Sequence, residues 1–128
     1  MNEHETKTIK TFFQKNRQER YFSSSPDSKQ RKKWLDKLNH APGLNEEYIQ
    51  KTNGKTDTYL ELKAKGAPEE CFVISCSEEL NLKTLPLSEA LPQTEQLGWG
   101  TIISCIPGKL AYYHGEQGEG KAILEADQ

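Results

Sequence analysis

No run of about 18 apolar residues occurs in the 128-residue chain, so the sequence holds no candidate membrane-spanning helix. Its first ten residues, MNEHETKTIK, lack the apolar segment of a secretory signal, so no export and no membrane partner are expected. Cysteine is scarce: three residues, an odd number, each in a strand-like run. With no export signal, the expectation is a cytoplasmic chain with reduced, mostly buried thiols. Cys71 and Cys76 are not spaced as a zinc-binding pair. Residues five apart on a strand also point to opposite faces, so no metal site is expected. No zinc finger, RRM signature, GXXG loop, G-x-G-x-x-G, P-loop or G-x-S-x-G occurs, and no cofactor is implied. The glycine-rich segment 115–120, GEQGEG, carries two glutamates that repel phosphate, and it reads as a hairpin connection. Internal repeats and low-complexity segments are absent as well.

What is present centres on residues 98–116, GWGTIISCIPGKLAYYHGE. Residues 101–106 are β-branched or apolar, Pro107 and Gly108 form the strongest turn signal in the chain, and 110–114 read as a return strand. A two-residue loop at Pro107 and Gly108 sets Thr101 opposite His114, Ile103 opposite Tyr112 and Cys105 opposite Leu110. Alternation then places Thr101, Ile103, Cys105, Leu110, Tyr112 and His114 on one face. Ile102, Ser104, Ile106, Lys109, Ala111 and Tyr113 share the other. Both faces are mainly apolar, which predicts a strand pair covered on both sides. Pro-Gly favours a type II turn, whose twist suits a tight hairpin poorly, so a bulge is expected near the loop.

Taken in order, residues 1–6 read as a frayed terminus. A helix is predicted over 7–22, with Ile9, Phe12, Phe13 and Tyr21 along one stripe. A second helix is predicted from a Ser25 cap to about residue 40, with Arg31, Trp34, Leu35 and Leu38 on one side. Residues 44–54 look irregular, with a helical turn at 46–49. Segment 57–65 carries both a helix and a strand pattern. A Thr56 cap and a Gly66 stop favour the helix. Residues 71–76 read as a buried strand, 85–97 as a helix limited or kinked by Pro92, and 121–126 as a weaker strand. The order predicts a single α+β domain, its N-terminal helices packed on a small mixed sheet with a central hairpin over 98–116.

The net charge of −2 conceals a division. Residues 1–41 carry ten Lys/Arg and five Asp/Glu, a balance of +5, whereas 42–128 carry seven and fourteen, a balance of −7. The chain thus has a basic helical part over 7–41 and an acidic α/β part over 55–128. Clustered cations favour phosphates because binding releases condensed counterions. The first functional expectation is therefore a nucleic acid, RNA or DNA, held through Arg17, Arg20, Lys29, Arg31, Lys32, Lys33 and Lys37. Phe12, Phe13, Tyr21, Phe22 and Trp34 are candidate stacking platforms. The competing expectation is a non-catalytic interaction or regulatory domain, with a protein partner or a homodimer meeting Trp99, Tyr112, Tyr113 and His114. A third is a small hydrolase-type enzyme with a cleft near His114. Cys105 and His114 share a face, but four strand positions separate them, about 13 Å, too far for a nucleophile and its base.

Overall fold

The computed structural model describes residues 2–51 and 57–126. Along the chain lie α1 (Glu3–Phe12), α2 (Lys15–Ser23), α3 (Lys29–Asp36), β1 (Ile49–Lys51), α4 (Thr58–Ala64), β2 (Glu70–Ser75), β3 (Thr84–Pro86), α5 (Leu87–Leu97), β4 (Thr101–Ile106), β5 (Leu110–His114) and β6 (Ala122–Glu125). The strands form one sheet in the order β1-β6-β5-β4-β2-β3. The fold class is α+β, as expected. Every pairing is antiparallel, however, and the sheet is not mixed. The connection from β3 through α5 to β4 passes over β2, so β3 and β4, which run the same way, are not neighbours.

Alternation along the strands divides the core into two layers. Ile9, Phe12, Phe13, Tyr21, Trp34 and Leu38 from the N-terminal helices cover Phe72, Ile74, Ile102, Ala111, Tyr113 and Leu124. Leu62 of α4 with Leu87, Ala90 and Leu91 of α5 cover Cys71, Val73, Ile103, Cys105, Leu110, Tyr112 and Ile123 on the opposite face. The hairpin keeps the expected partners Thr101↔His114 and Ile103↔Tyr112. A register shift between Ser104 and Ile106 then sets Ile106, in place of Cys105, against Leu110. This bulge accommodates the Pro107–Gly108 turn, in which Gly108 takes a φ of 69°.

Three helical boundaries depart from expectation. Residues 3–6 are not frayed: Asn2 Oδ1 accepts the His4 N–H at 2.7 Å and starts α1 at Glu3. The helix expected over 7–22 is broken at Phe13, which is extended and bridges to Leu44. Backbone bonds from a distant segment, Gln14 N–H to Gly43 O at 2.8 Å and Asn45 N–H to Phe12 O at 2.7 Å, replace the helical ladder there. The Asn45 amide also donates to the Thr11 and Phe13 carbonyls, each at 3.1 Å. The second helix begins later than expected, because Ser28 N–H bonds Ser25 O at 3.0 Å in a turn and Ser28 Oγ accepts the Arg31 N–H at 3.1 Å.

Segment 58–64 is helical, capped by Asp57 Oδ1. The expected Thr56 cap lies outside the described residues. β1 and β3 are short edge strands, where the sequence pattern predicts a loop and the start of a helix. Gly100 locks the N-terminal layer to the sheet. A Cβ there would lie 2.3 Å from the Leu38 carbonyl carbon, so only glycine permits this approach. Asn39 Oδ1 accepts the Gly100 N–H at 2.6 Å, and the Tyr113 hydroxyl donates to Leu38 O. No described helix is long and apolar enough to cross a membrane.

Candidate functional site

Two of the seven basic residues singled out in the sequence are structural. Arg31 is 2% exposed. Its guanidinium lies 3.7 Å from the Tyr21 ring centroid and 3.5 Å from Glu5 Oε2. Its Nη2 donates to the Tyr21 and Ser24 carbonyls at 3.0 and 2.9 Å, and Nε donates to Ser24 Oγ at 2.9 Å. Arg17 is buried over the Trp34 ring at 4.4 Å and donates to the Pro42 and Trp34 carbonyls. Trp34 Nε1 returns a bond to Arg17 O at 2.8 Å. Burial, and then the neighbouring Arg20, pull the Arg17 guanidinium down to about 10, which leaves it charged at neutral pH. Both arginines thus commit donors inside the fold, Arg17 to α3 and the Pro42 carbonyl and Arg31 to α2 and Ser24. The helical pattern sets Arg31 beside Trp34, Leu35 and Leu38, but charge clustering groups both arginines with the surface cations, because buried arginine is uncommon.

The other five, Arg20, Lys29, Lys32, Lys33 and Lys37, are exposed. None is ion-paired among the described residues, whereas Lys7, Lys63, Lys65 and Lys121 each lie within reach of a glutamate. Arg20, Lys33 and Lys37 surround a notch of about 280 Å³ between α2 and α3, whose lining is completed by Arg17, Ser23, Gln30 and the Trp34 edge. No carboxylate among the described residues lines it. Lys29 and Lys32 open instead onto a groove shared with Asp27 and Glu78. The expected stacking residues do not serve. Phe12, Phe13, Tyr21 and Trp34 are core, and only Phe22 is partly open.

The alternative interface is likewise reduced. Trp99 is 46% exposed, but Tyr112, Tyr113 and His114 are buried, so these residues form no joint patch. Leu60 and Leu82 are the other exposed large apolar side chains among the described residues. His114 does border a cavity, of about 430 Å³, together with Glu95, Gln96, Gln117 and Lys121.

One polar cluster is not anticipated by the sequence analysis. His4 Nδ1 lies 2.8 Å from Ser104 Oγ, and the Thr8 hydroxyl donates to the same oxygen at 2.9 Å. Its signal is a serine in an otherwise apolar strand, with His4 and Thr8 one helical turn apart. A serine and histidine in contact suggest nucleophilic chemistry. Ser104 is fully buried beneath α1, however, and no acyl substrate has an approach. The cluster pins α1 to β4. Burial lowers the His4 pKa, against the opposing pull of Glu3 and Glu70, so the ring favours its neutral form.

All three cysteines are free thiols, and the described residues hold no group of three metal-ligating side chains. Cys71 and Cys105 are 1% exposed, whereas Cys76 is half-buried beside Asp36 and Asn39, at 3.2 and 3.5 Å. Under native conditions a thiol reagent is expected to modify Cys76 first, and slowly, because burial and then Asp36 raise its pKa. Cys71 and Cys105 should react only on unfolding, and equal rates at all three positions would contradict this packing. Searches of family models, curated proteins and solved structures found no match to this chain.

Proposed function

We infer that the chain binds nucleic acid through the phosphate backbone, using the exposed face of α2 and α3. The observation that carries this reading is the notch bounded by Arg20, Lys33 and Lys37 with no carboxylate in its described wall. Cations clear of acidic partners are free to displace the counterions of a polyanion, and that release supplies the affinity. The buried arginines contribute indirectly. By fixing α2 against α3 they hold the three exposed cations at a set spacing, which lowers the ordering cost of binding. The notch offers charge more than base-edge partners, so the reading is of sequence-independent binding.

The test is a salt titration. Phosphate contacts by all five exposed cations, Arg20, Lys29, Lys32, Lys33 and Lys37, give a slope of log K against log salt of about −4.5 on duplex DNA and about −3.5 on single strands. The triple variant Arg20→Ala, Lys33→Ala, Lys37→Ala should flatten the slope by about one unit for each phosphate no longer neutralised, equally for all sequences. Its thermal stability should stay within about 0.5 kcal/mol per site, because these side chains are exposed. Arg31 is not part of this test, since its removal would disrupt the core. No detectable binding at about 50 mM salt would overturn the reading.

A further inference from the structure

On the opposite side of the sheet, three of the four buried side-chain polar atoms without a hydrogen-bond partner among the described residues belong to α5 and β5: Thr94 Oγ1, Tyr112 OH and His114 Nδ1. Buried polar groups are normally paired, and of these three residues His114 lines a cavity from which something else can supply the bond. The Tyr112 and His114 rings are neighbours, 6.5 Å between centroids. His114 is 2% exposed and forms a wall of the 430 Å³ cavity. Burial, and then Lys121, lower its pKa, so at neutral pH the ring keeps one N–H donor and one acceptor lone pair.

The cavity's charges are balanced. Glu95 supplies one carboxylate and Lys121 one ammonium, with Nζ and Oε1 3.9 Å apart. That distance exceeds the 2.7–2.9 Å or so of a charge-assisted hydrogen bond, so each group retains capacity for another partner. The last turn of α5 ends here, at Gly98 with a φ of 73°. Its terminal carbonyls favour positive charge. Across the opening, Gln117 is held at a φ of 53° by its N–H bond to Gly98 O at 2.7 Å. A non-glycine residue in that conformation stores backbone strain, a feature that gathers at ligand clamps.

A free anion would meet Glu95 and the helix carbonyls, and a free cation would meet Lys121. A small ligand carrying both charges a few bonds apart meets neither penalty. We propose that this cavity is a binding site for a small zwitterion of the amino-acid class. The ligand ammonium lies at Glu95 and the α5 C-terminus, and its carboxylate at Lys121. Neutral His114 and the Gln96 and Gln117 amides complete the polar contacts. The volume falls within the range of ordinary ligand pockets.

The experiment is a nitrogen-15 NMR titration of the intact chain with each standard free amino acid, and with acetate and methylammonium as singly charged controls. At least one amino acid should give saturable shifts confined to residues 95–98 and 114–121. Glu95→Gln and Lys121→Gln should each weaken that binding at least about tenfold, or about 1.4 kcal/mol. Both side chains are well exposed, so the variants should keep the wild-type spectrum elsewhere. Acetate and methylammonium should bind at least about tenfold more weakly. The proposal is overturned if no amino acid gives saturable shifts up to about 10 mM, if the shifts lie elsewhere, if the variants bind normally, or if acetate or methylammonium binds as well.

Discussion

Replacing Glu5 with Ala is expected to cost about 3–5 kcal/mol of stability, the usual penalty for removing one partner of a buried ion pair. Glu5 is 6% exposed, accepts a bond from the Tyr21 hydroxyl and lies 3.5 Å from Arg31 Nη1. Burial, and then the Glu5 hydrogen bond, raise the Tyr21 pKa, so the phenol stays a donor to this carboxylate. Without Glu5 the guanidinium of Arg31 remains in the core with no counter-charge. Glu5→Gln keeps an acceptor for Tyr21 and should lose less. Chemical denaturation of both variants measures the difference. A loss under about 1 kcal/mol for Glu5→Ala would mean that the first turn of α1 is not held in place.

Trp34→Ala carries an expectation of similar size, about 3–5 kcal/mol, by the cavity it leaves. The indole packs against Phe13 and Tyr21 at ring centroid distances of 4.9 and 4.6 Å, beneath the Arg17 guanidinium. Its loss also removes the Nε1–H bond to the Arg17 carbonyl. Trp34→Ala should therefore lower the denaturation midpoint while the protein that remains folded keeps its salt-dependent binding. The Arg20, Lys33, Lys37 triple variant should do the reverse. A Trp34→Ala protein with wild-type stability and no binding would make the indole a stacking platform.

The hairpin is legible in the sequence because its signals are local: apolar alternation, one strong turn dipeptide and a predictable bulge beside it. The 58–64 helix is legible from its Gly66 stop, since its apolar pattern fits a strand as well and its cap is Asp57. The break at Phe13 is not, because its cause lies about 30 residues away, in the bonds from Gly43 and Asn45. Edge strands β1 and β3, of three residues each, are too short for alternation to register. The charge division is visible, but which cations are surface and which are mortar is not. Arg31 shares the helical side of Trp34, Leu35 and Leu38, whereas only the packing of α2 on α3 tells Arg17 from a surface cation. The His114 cavity is hinted at by one residue. Glu95 and Lys121, which complete it, come from opposite ends of the same stretch and meet only in three dimensions.

The pairing of β1 with β6 bears on how the chain reaches this state. β1 has no other neighbour in the described sheet, and its partner is the last strand described, about 70 residues on. The three N-terminal helices can lock to one another early, since Glu5, Arg17, Tyr21, Arg31 and Trp34 are close in sequence. Their apolar stripe, Ile9, Phe12, Phe13 and Leu38, packs against residues of β2, β4, β5 and β6, all later in the chain. Such distant pairings carry a loop-closure entropy that slows folding. A chain emerging N-terminus first therefore presents a basic helical unit with an uncovered hydrophobic stripe for much of its synthesis, the interval in which aggregation or chaperone capture competes with folding.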